Sequence, residues 1–308
     1  MSHKVLISGK DGQLLTDIKE KLSSTFFNVY AFSSKGFDVT NDKVTKELFN
    51  DIKPDIYIHG ASYHSVDQIE NNPTKALDVN VASLHRISNL CNKHNTTLIN
   101  FSTDYVFSGN DVQFPQDYSS TSGFTCTGPY VSSGHGYNER WQPNPVNFYG
   151  ISKYAGEMTI ANTCENFMNV RVCGLFGKTG SRAKKGMNFP LMVLDKIDNN
   201  EEMNVVNDQY ITVGYTKDIA ENLVELMKNT HHKTTFHLMN EGILTWYDLA
   251  SFIAQVFEKE YLIKPCSSTE NYSSVGRPKY SALQNNNADK LPRWESAIVR
   301  FLKEIKRL

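Results

Sequence analysis

Short apolar runs alternate with longer segments of helical period along the first hundred residues. The runs lie at residues 4–8, 29–32, 55–59 and 97–101, and apolar side chains between them recur every three or four residues. The runs do not alternate strictly between apolar and polar positions, which is typical of strands buried on both faces. This order predicts an α/β fold with right-handed β-α-β units and a doubly wound parallel sheet.

The regular pattern stops after the fourth run. Residues 112–136 are rich in Ser, Thr, Gly, Tyr and Pro and have no sustained period, so they indicate either a surface loop or a lid over a substrate. Order returns with a helix from Tyr149 and a strand at 169–173, and the chain closes on an amphipathic helix over 294–308.

Composition excludes several classes of function. Of 308 residues 40% are hydrophobic, and 32 basic against 33 acidic side chains leave a net charge of −1. The apolar content suffices for a folded core, and the charge balance predicts no nucleic-acid partner. No apolar run approaches the roughly 18 residues of a membrane-spanning helix, and the N-terminus has no signal-peptide pattern. We therefore expect no membrane partner.

The cysteines indicate a reducing compartment. There are five, widely spaced and without a C-x-x-C pair, which fits neither a disulfide framework nor a zinc site. We expect a cytoplasmic protein with no metal centre.

The turn after the first strand has the composition of a dinucleotide site. Gly9 and Gly12 lie between a strand and a helix in the first β-α-β unit. Glycine lets the backbone approach a pyrophosphate, whose charge is stabilised by free N–H groups at the helix N-terminus. The strand-turn-helix context makes this common pattern more specific, and it predicts a Rossmann-type dinucleotide-binding fold.

The end of the second strand indicates which dinucleotide binds. An acidic residue there would bind a ribose 2′-hydroxyl and repel a 2′-phosphate. This chain has Ser33, Ser34 and Lys35 instead, with no carboxylate before Asp38. The pattern favours NADP(H), and NAD(H) stays possible.

Tyr149 and Lys153 lie four residues apart, on one face of the predicted helix. A tyrosine with a pKa near 10 is a poor proton donor at neutral pH, and a nearby ammonium together with an oxidised nicotinamide would stabilise its phenolate. Such a tyrosine can protonate the alkoxide that forms when hydride reaches a carbonyl carbon. Thr103 follows the fourth strand, where its hydroxyl could polarise that carbonyl.

With these motifs the chain resembles the extended short-chain dehydrogenase/reductase superfamily, and within it the dTDP-4-dehydrorhamnose reductase family. The matching segments run in family order over nearly the whole chain: G-K-D-G-Q-L at 9–14, D-V-T-N at 38–41, G-A-S-Y-H-S-V-D at 60–67, N-V-A-S-L at 80–84, S-T-D-Y-V-F at 102–107, Y-G-I-S-K-Y-A-G-E at 149–157, N-D-Q-Y at 207–210, T-K-D-I-A at 216–220, T-W-Y-D at 245–248 and R-P at 277–278.

The resemblance implies a role for individual residues. The family's catalytic triad falls on Thr103, Tyr149 and Lys153. Further cofactor contacts fall on Gly9, Gly12, Gln13 and Leu14 along the pyrophosphate, on Asp38 and Val39 near adenine, and on Ala61, Ser62 and Tyr63. Substrate contacts fall on Tyr105, Val106 and Asn188, and Lys184 and Lys185 either meet the substrate diphosphate or lie in solvent.

The reaction that the resemblance implies is hydride transfer from NAD(P)H to C4 of a nucleotide-linked 4-keto-6-deoxyhexose, here dTDP-4-dehydro-L-rhamnose. Sugar-nucleotide 4,6-dehydratases are similar but carry an Asp-Glu pair after the threonine. In this chain Asp104 is followed by Tyr105, so elimination would lack its second carboxylate.

We expect a Rossmann domain over 1–170, to which a segment near 203–230 returns, and a smaller α/β substrate domain over 171–308.

Departures from the family pattern leave two alternatives open. Leu15 replaces the third glycine of the first turn, Gly174 stands where the family usually carries Trp, and the 112–136 insertion is additional. Cys126 and His135 in this insertion could exchange protons at C3 and C5, as in bifunctional 3,5-epimerase/4-reductases acting on UDP- or GDP-linked sugars.

The other alternative is a non-catalytic NADP-binding protein similar to the regulatory β subunit of methionine adenosyltransferase, which binds a partner enzyme. A homodimer is also possible.

Overall fold

A computed structural model describes residues 3–109, 136–181, 186–228, 232–269 and 275–308. The strands are β1 (Lys4–Ser8), β2 (Asn28–Phe32), β3 (Ile56–His59), β4 (Thr97–Thr103), β5 (Phe167–Val172), β6 (Leu175–Phe176), β7 (Met203–Val206), β8 (Tyr210–Ile211), β9 (Gly214–Tyr215), β10 (Lys233–His237), β11 (Asn240–Glu241), β12 (Leu244–Thr245), β13 (Ile263–Cys266) and β14 (Leu291–Arg293). The α-helices are α1 (Gln13–Ser23), α2 (Asp42–Ile52), α3 (Val66–Asn71), α4 (Pro73–Leu77), α5 (Ser83–His94), α6 (Phe148–Thr163), α7 (Phe189–Asp198), α8 (Thr216–Leu226), α9 (Trp246–Val256) and α10 (Trp294–Glu304).

Six parallel strands form the central sheet in the order β10-β5-β4-β3-β1-β2. β1 lies between β2 and β3, so the chain reverses its direction of travel across the sheet at β1. In doubly wound sheets ligands bind at this reversal, beyond the carboxyl ends of the strands. The predicted α/β fold with a doubly wound parallel sheet is confirmed.

Helices cover both faces of the sheet because their apolar stripes pack against its apolar strands. On one face, Ile18 of α1 and Leu223 of α8 are fully buried in a cluster with side chains from the strands. On the other face, Phe49 of α2, Ile87 of α5 and Ile160 of α6 form the corresponding cluster. The two layers hold the carboxyl ends of the strands in a fixed arrangement.

The C-terminal half forms its own apolar cluster. Side chains from α7, α9 and α10 pack together with those of β7 and β13, around Val193, Ile253 and Phe301. α8 connects this cluster to the central sheet, because one of its faces packs on α1 and its Asp218 is paired with Arg300 of α10. None of the helices in the described ranges has the length and apolar character that crossing a bilayer requires.

Candidate active site

Thr103, Tyr149 and Lys153 meet at the carboxyl end of the central sheet. Thr103 is the last residue of β4, and the Tyr149 hydroxyl lies within hydrogen-bonding reach of the Thr103 hydroxyl. Lys153 follows one helical turn later on α6 and is buried. The predicted triad residues are therefore neighbours in the structure, at the edge of the sheet where ligands of this fold bind.

Burial controls the ionisation of this group. Burial is the main cause that raises the pKa of Tyr149 above its ordinary value, and the neighbouring Asp104 carboxylate raises it further, while the Thr103 hydrogen bond lowers it. Burial also lowers the pKa of Lys153 to about 8, and the Glu157 carboxylate opposes that change. At neutral pH Tyr149 thus keeps its proton and Lys153 carries a charge.

The position of α6 is fixed at its N-terminus. The Asn147 side chain accepts a hydrogen bond from the backbone N–H of Gly150 at 2.8 Å and donates one to the carbonyl of Gly276 at 2.9 Å. Gly150 lies so close to the turn after β4 that a Cβ would stand 2.1 Å from the Tyr105 carbonyl oxygen. The missing side chain lets Tyr149 reach Thr103.

Asn80 connects the loop after β3 to α6. Its side chain accepts from the backbone N–H of Tyr63 at 3.0 Å and donates to the Tyr63 carbonyl at 2.9 Å and to the Ser152 hydroxyl at 3.0 Å. Asn80 lies in a π-helical turn (Asp78–Ala82) between α4 and α5, and the hydroxyl of Ser62 also donates to it. The predicted cofactor residues Ala61, Ser62 and Tyr63 are thereby held beside the helix that carries Tyr149.

The first turn has the features of an anion site. Gly9 has φ +72°, and a Cβ there would stand 2.7 Å from the Gly60 carbonyl oxygen, so only glycine fits. Gly12 precedes α1 and offers no side chain to cap it, which leaves first-turn N–H groups for a ligand. The buried Gln13 amide nitrogen has no hydrogen-bond partner within the described part of the chain.

Leu15 explains how this chain tolerates the loss of the family's third glycine. Leu14 and Leu15 are both buried at the start of α1. A Cβ on Gly60 would stand 2.6 Å from the Leu15 side chain. Gly60, the residue after β3, therefore leaves the space that the Leu15 side chain fills.

The end of β2 lies beside the first turn, since the Lys10 N–H donates to the Phe32 carbonyl at 3.0 Å. The predicted 2′-phosphate residues Ser33, Ser34 and Lys35 form the turn that follows β2, and Ser34 and Lys35 are exposed. Asp38 turns its carboxylate to the backbone and hydroxyl of Thr40, and Val39 is buried. The segment that carries the Ser33 and Ser34 hydroxyls and the Lys35 ammonium thus lies next to one end of a ligand that would bind at the first turn.

The predicted substrate residues lie in three different settings. The ring of Tyr105 meets that of Tyr149 edge to face, with centroids 5.9 Å apart. Val106 is fully buried in an apolar cluster with Phe107. Asn188 caps α7 by accepting from Leu191 N–H and donates to the Gly177 carbonyl at 2.8 Å. The structure thus brings Tyr105 to the predicted triad of Thr103, Tyr149 and Lys153, and it engages Val106 and Asn188 in packing and capping.

Gly174 fits a tight turn after β5. Its φ is +42°, and a Cβ would stand 2.9 Å from the Val213 side chain. A tryptophan here would require the neighbouring 212–213 backbone to move.

Lys184, Lys185, Cys126 and His135 lie outside the described residues, as does the 112–136 insertion apart from Gly136.

The family follows from a match along the chain. The family model described as the RmlD substrate binding domain matches residues 3–307. The chain belongs to this family. The prediction drawn from the motifs, the dTDP-4-dehydrorhamnose reductase family of short-chain dehydrogenase/reductases, is confirmed.

Individual relatives are similar over their full length. The spore coat polysaccharide biosynthesis protein SpsK of Bacillus subtilis is 28% identical over 98% of this chain and 97% of its own length. The dTDP-4-dehydrorhamnose reductase of Escherichia coli K12 is 26% identical over the same shares. The crystal structure of the reductase from Bacillus anthracis in complex with NADP superposes with a TM-score of 0.85, at 29% identity over 99% of this chain and 100% of that one.

Sequence reasoning assigned no role to Asn80, to the Glu157 carboxylate or to the contact between Asp104 and Ser281. Each lies in or next to a segment that matches the family pattern, and that was the available signal. The partners of these side chains come from distant parts of the chain, so only the fold reveals the contacts.

Proposed function

We propose that this protein reduces a nucleotide-linked 4-keto-6-deoxyhexose at C4, with NADP(H) as hydride donor. The observation that carries the proposal is the meeting of Tyr149 with Thr103 at the carboxyl end of β4, with the buried Lys153 one helical turn along α6. This group lies at the edge of the sheet that also carries the anion-binding turn of Gly9 and Gly12. A proton donor beside a dinucleotide site is what carbonyl reduction requires.

The side chains divide the work of moving one proton. Tyr149 keeps its proton at neutral pH because burial raises its pKa, and it donates that proton to the strongly basic oxygen that forms at C4. The Lys153 ammonium then stabilises the phenolate. Thr103 holds the Tyr149 hydroxyl in place, and Tyr105 covers the Tyr149 ring. Neither a metal ion nor a covalent nucleophile is needed for this chemistry.

The residues of the first turn fit NADP(H). Gly9 and Gly12 would lie along the pyrophosphate, and the Gln13 amide nitrogen, which has no partner among the residues that the structure describes, provides a further donor. Ser33, Ser34 and Lys35 suit the 2′-phosphate. The bound cofactor supplies the hydride. The similar reductase of Bacillus anthracis, crystallised with NADP, supports this choice.

The substrate we propose is dTDP-4-dehydro-L-rhamnose, which gives dTDP-L-rhamnose. The reductase names of the similar proteins from Escherichia coli and Bacillus anthracis support it. SpsK carries the name of a spore coat polysaccharide pathway, so sugar nucleotides with other bases belong in the test.

We also propose that residues 1–170 form the cofactor domain, to which part of the 203–230 segment returns, and that the rest of 171–308 binds the sugar nucleotide. The packing of α8 on α1 supports the return, and the separate apolar cluster of α7, α9 and α10 supports the second unit.

The test measures the rate of NADPH oxidation, monitored as the loss of NADPH absorbance, with 4-keto-6-deoxy sugars linked to dTDP, UDP and GDP. Tyr149→Phe should lower kcat by about 10²-fold or more, because proton transfer is lost, while NADPH binding measured by fluorescence stays within about twofold. Tyr154→Phe is the matched control on the same helix, since the Tyr154 hydroxyl accepts a hydrogen bond from the Gln142 amide at 2.8 Å. This variant should behave as wild type.

Two results would contradict the proposal. Turnover by Tyr149→Phe close to that of wild type would remove the proton donor from the mechanism. No oxidation with any member of the panel would favour a binding protein that has kept the reductase fold.

A further inference from the structure

Two thiols meet where α5 and α6 end, away from the site described above. Cys91 lies in the last turn of α5, and Cys164 is the residue at which α6 ends. Both side chains are buried in the apolar layer that α2, α5 and α6 form on one face of the central sheet. Their sulfurs lie within hydrogen-bonding reach of each other. Neither thiol takes part in the proton transfer proposed for Tyr149.

The Asn92 side chain keeps the two helix ends together. It donates a hydrogen bond to the Thr163 carbonyl at 2.7 Å and accepts one from the Glu165 N–H at 2.9 Å. These bonds hold the backbone on both sides of Cys164 against the residue that follows Cys91. A disulfide forms only between residues whose backbones approach closely, and this pair of hydrogen bonds maintains such an approach.

The surroundings of the pair give the two sulfurs different reactivities. The hydrogen bond with Cys91 is the main cause that lowers the pKa of Cys164, although burial opposes it. Burial raises the pKa of Cys91, and the Cys164 sulfur raises it further. The buried Ser88 hydroxyl has no hydrogen-bond partner within the described ranges, and as a donor to the Cys164 thiolate it lowers the same pKa. Cys164 is therefore the nucleophile of the pair.

We propose that Cys91 and Cys164 form a reversible disulfide when the protein meets hydrogen peroxide, which joins the C-terminal ends of α5 and α6. The Cys164 thiolate attacks one peroxide oxygen and the O–O bond breaks, which leaves a sulfenic acid on Cys164. The departing hydroxide becomes water with the proton that Cys164 released. The Cys91 sulfur then displaces the sulfenic hydroxyl, which leaves as a second water with the Cys91 proton. Two thiols are oxidised to one disulfide, and one peroxide is reduced to two waters.

The bridge would form far from the proposed reductase site. Helix α6 has 16 residues, which corresponds to about 24 Å at the rise of an α-helix. Tyr149 lies near its first residue, and Cys164 follows its last. In a reducing compartment such a bond is transient, and both cysteines are free thiols in the structure. We therefore expect oxidation to restrain the layer of α5 and α6 and to leave the cofactor site intact.

The experiment treats the full chain with hydrogen peroxide, blocks the remaining thiols with an alkylating agent and maps the non-reduced peptides by mass spectrometry. A pair of peptides joined through Cys91 and Cys164, lighter by two hydrogen atoms than the separate peptides, should appear within single chains and disappear on treatment with dithiothreitol. Cys266 is half-buried, and its oxidation shows that peroxide has acted on the protein. Oxidised Cys266 without the joined pair, or joined pairs between separate chains only, would overturn the proposal.

Two variants test the assigned roles of the sulfurs. In Cys91→Ala the Cys164 sulfenic acid has no thiol to attack it, so dimedone should trap it at Cys164. In Cys164→Ala the dimedone adduct at Cys91 should be about tenfold weaker. Cys173→Ala is the matched control, because this thiol is also buried but lies 3.0 Å from the Thr212 hydroxyl, and the variant should keep the joined pair. Equal adducts at Cys91 and Cys164 would contradict Cys164 as the nucleophile.

A second readout needs neither a variant nor a sugar nucleotide. The disulfide closes a long loop, so the oxidised protein should have a thermal midpoint about 5 °C above that of the reduced protein, and dithiothreitol should reverse the change. NADPH binding, measured by fluorescence, should stay within about twofold of the reduced protein. A joined form with a lower midpoint would contradict a bridge that fits the native positions of α5 and α6. If the reduced protein bound no NADPH, the proposed function would fail, and the peptide map would still decide on the disulfide.

Discussion

The buried Lys153 ammonium has a carboxylate neighbour, Glu157, that is itself paired with a buried arginine. Glu157, one turn further along α6, receives two hydrogen bonds from Arg171, at 2.9 and 2.6 Å. Arg171 also donates to His237, whose other ring nitrogen faces the Gln284 carbonyl at 3.0 Å. Burial keeps this histidine neutral by lowering its pKa to about 3. The carboxylate that supports Lys153 is thus held by groups from β5 and β10.

Removing the Glu157 charge should change the alkaline side of the activity profile. The Lys153 ammonium is present below its pKa of about 8 and lost above it, and Glu157 raises this pKa. In Glu157→Gln the alkaline limb of kcat/KM for NADPH oxidation should therefore move to lower pH, by about one unit. Glu165→Gln is the same change at an exposed position just after α6 and should leave the limb in place. An unchanged limb in folded Glu157→Gln would contradict this account of Lys153.

For individual residues, the sequence predicted well those neighbours that are set by local spacing along the chain. Tyr149 and Lys153 lie four residues apart on a helix, which brings them to one face. It predicted less well what depends on distant partners. Val106 and Asn188 stay predicted substrate residues, but the side chains that bury the first and the carbonyl that engages the second come from other elements. One sequence without the fold carries no signal for such contacts.

Helix α6, which carries Tyr149 and Lys153, is placed by close backbone contacts along its length. A Cβ on Gly156 would stand 2.4 Å from the Asn80 carbonyl oxygen in the π-helical turn. Apolar side chains recur every three or four residues from 73 to 92, which is typical of a single helix. The structure instead has α4, the π-helical turn and α5 in succession there. Apolar spacing does not distinguish these backbones. Asn80 lies in the π turn and from there donates to the Tyr63 carbonyl and the Ser152 hydroxyl.

Gly156→Ala tests the contact between the two helical elements. Alanine favours a helix over glycine by about 1 kcal/mol, yet this substitution should lower both the thermal midpoint and kcat, because the Cβ would collide with backbone. Met158→Ala, at an exposed position of the same helix, should shift the midpoint by at most about 1–2 °C. A Gly156→Ala variant more stable than wild type would show that α6 and the π turn are not in tight contact.

The two halves of the molecule are linked through α8 and α10. Asp218 of α8 is almost fully buried, and the Arg300 guanidinium binds both its oxygens. Asn240, at the start of β11, donates to the same carboxylate at 2.6 Å. Since α8 packs on the face of the central sheet as well, we expect the two apolar clusters to unfold together.

Arg300→Met should leave Asp218 buried without its cation and lower the thermal midpoint by about 5 °C or more. Calorimetry should still show one transition, with ellipticity and tryptophan fluorescence changing together. Arg307→Met breaks a pair with the half-exposed Asp198 and should have little effect. Two separated transitions, in wild type or in the variant, would contradict the coupling.

The order of the strands also has a consequence for synthesis on the ribosome. In the folded sheet β5 lies between β4, which precedes it in the chain, and β10, which is translated only after α7 and α8. Until then the backbone groups along one side of β5 have no strand to bind, and an unpaired sheet edge invites association with other chains. A nascent chain that already includes Tyr149 and Lys153 therefore still has an unpaired β5 edge that is prone to aggregation. We expect chaperones to bind this chain until β10, which ends at residue 237, has been synthesised.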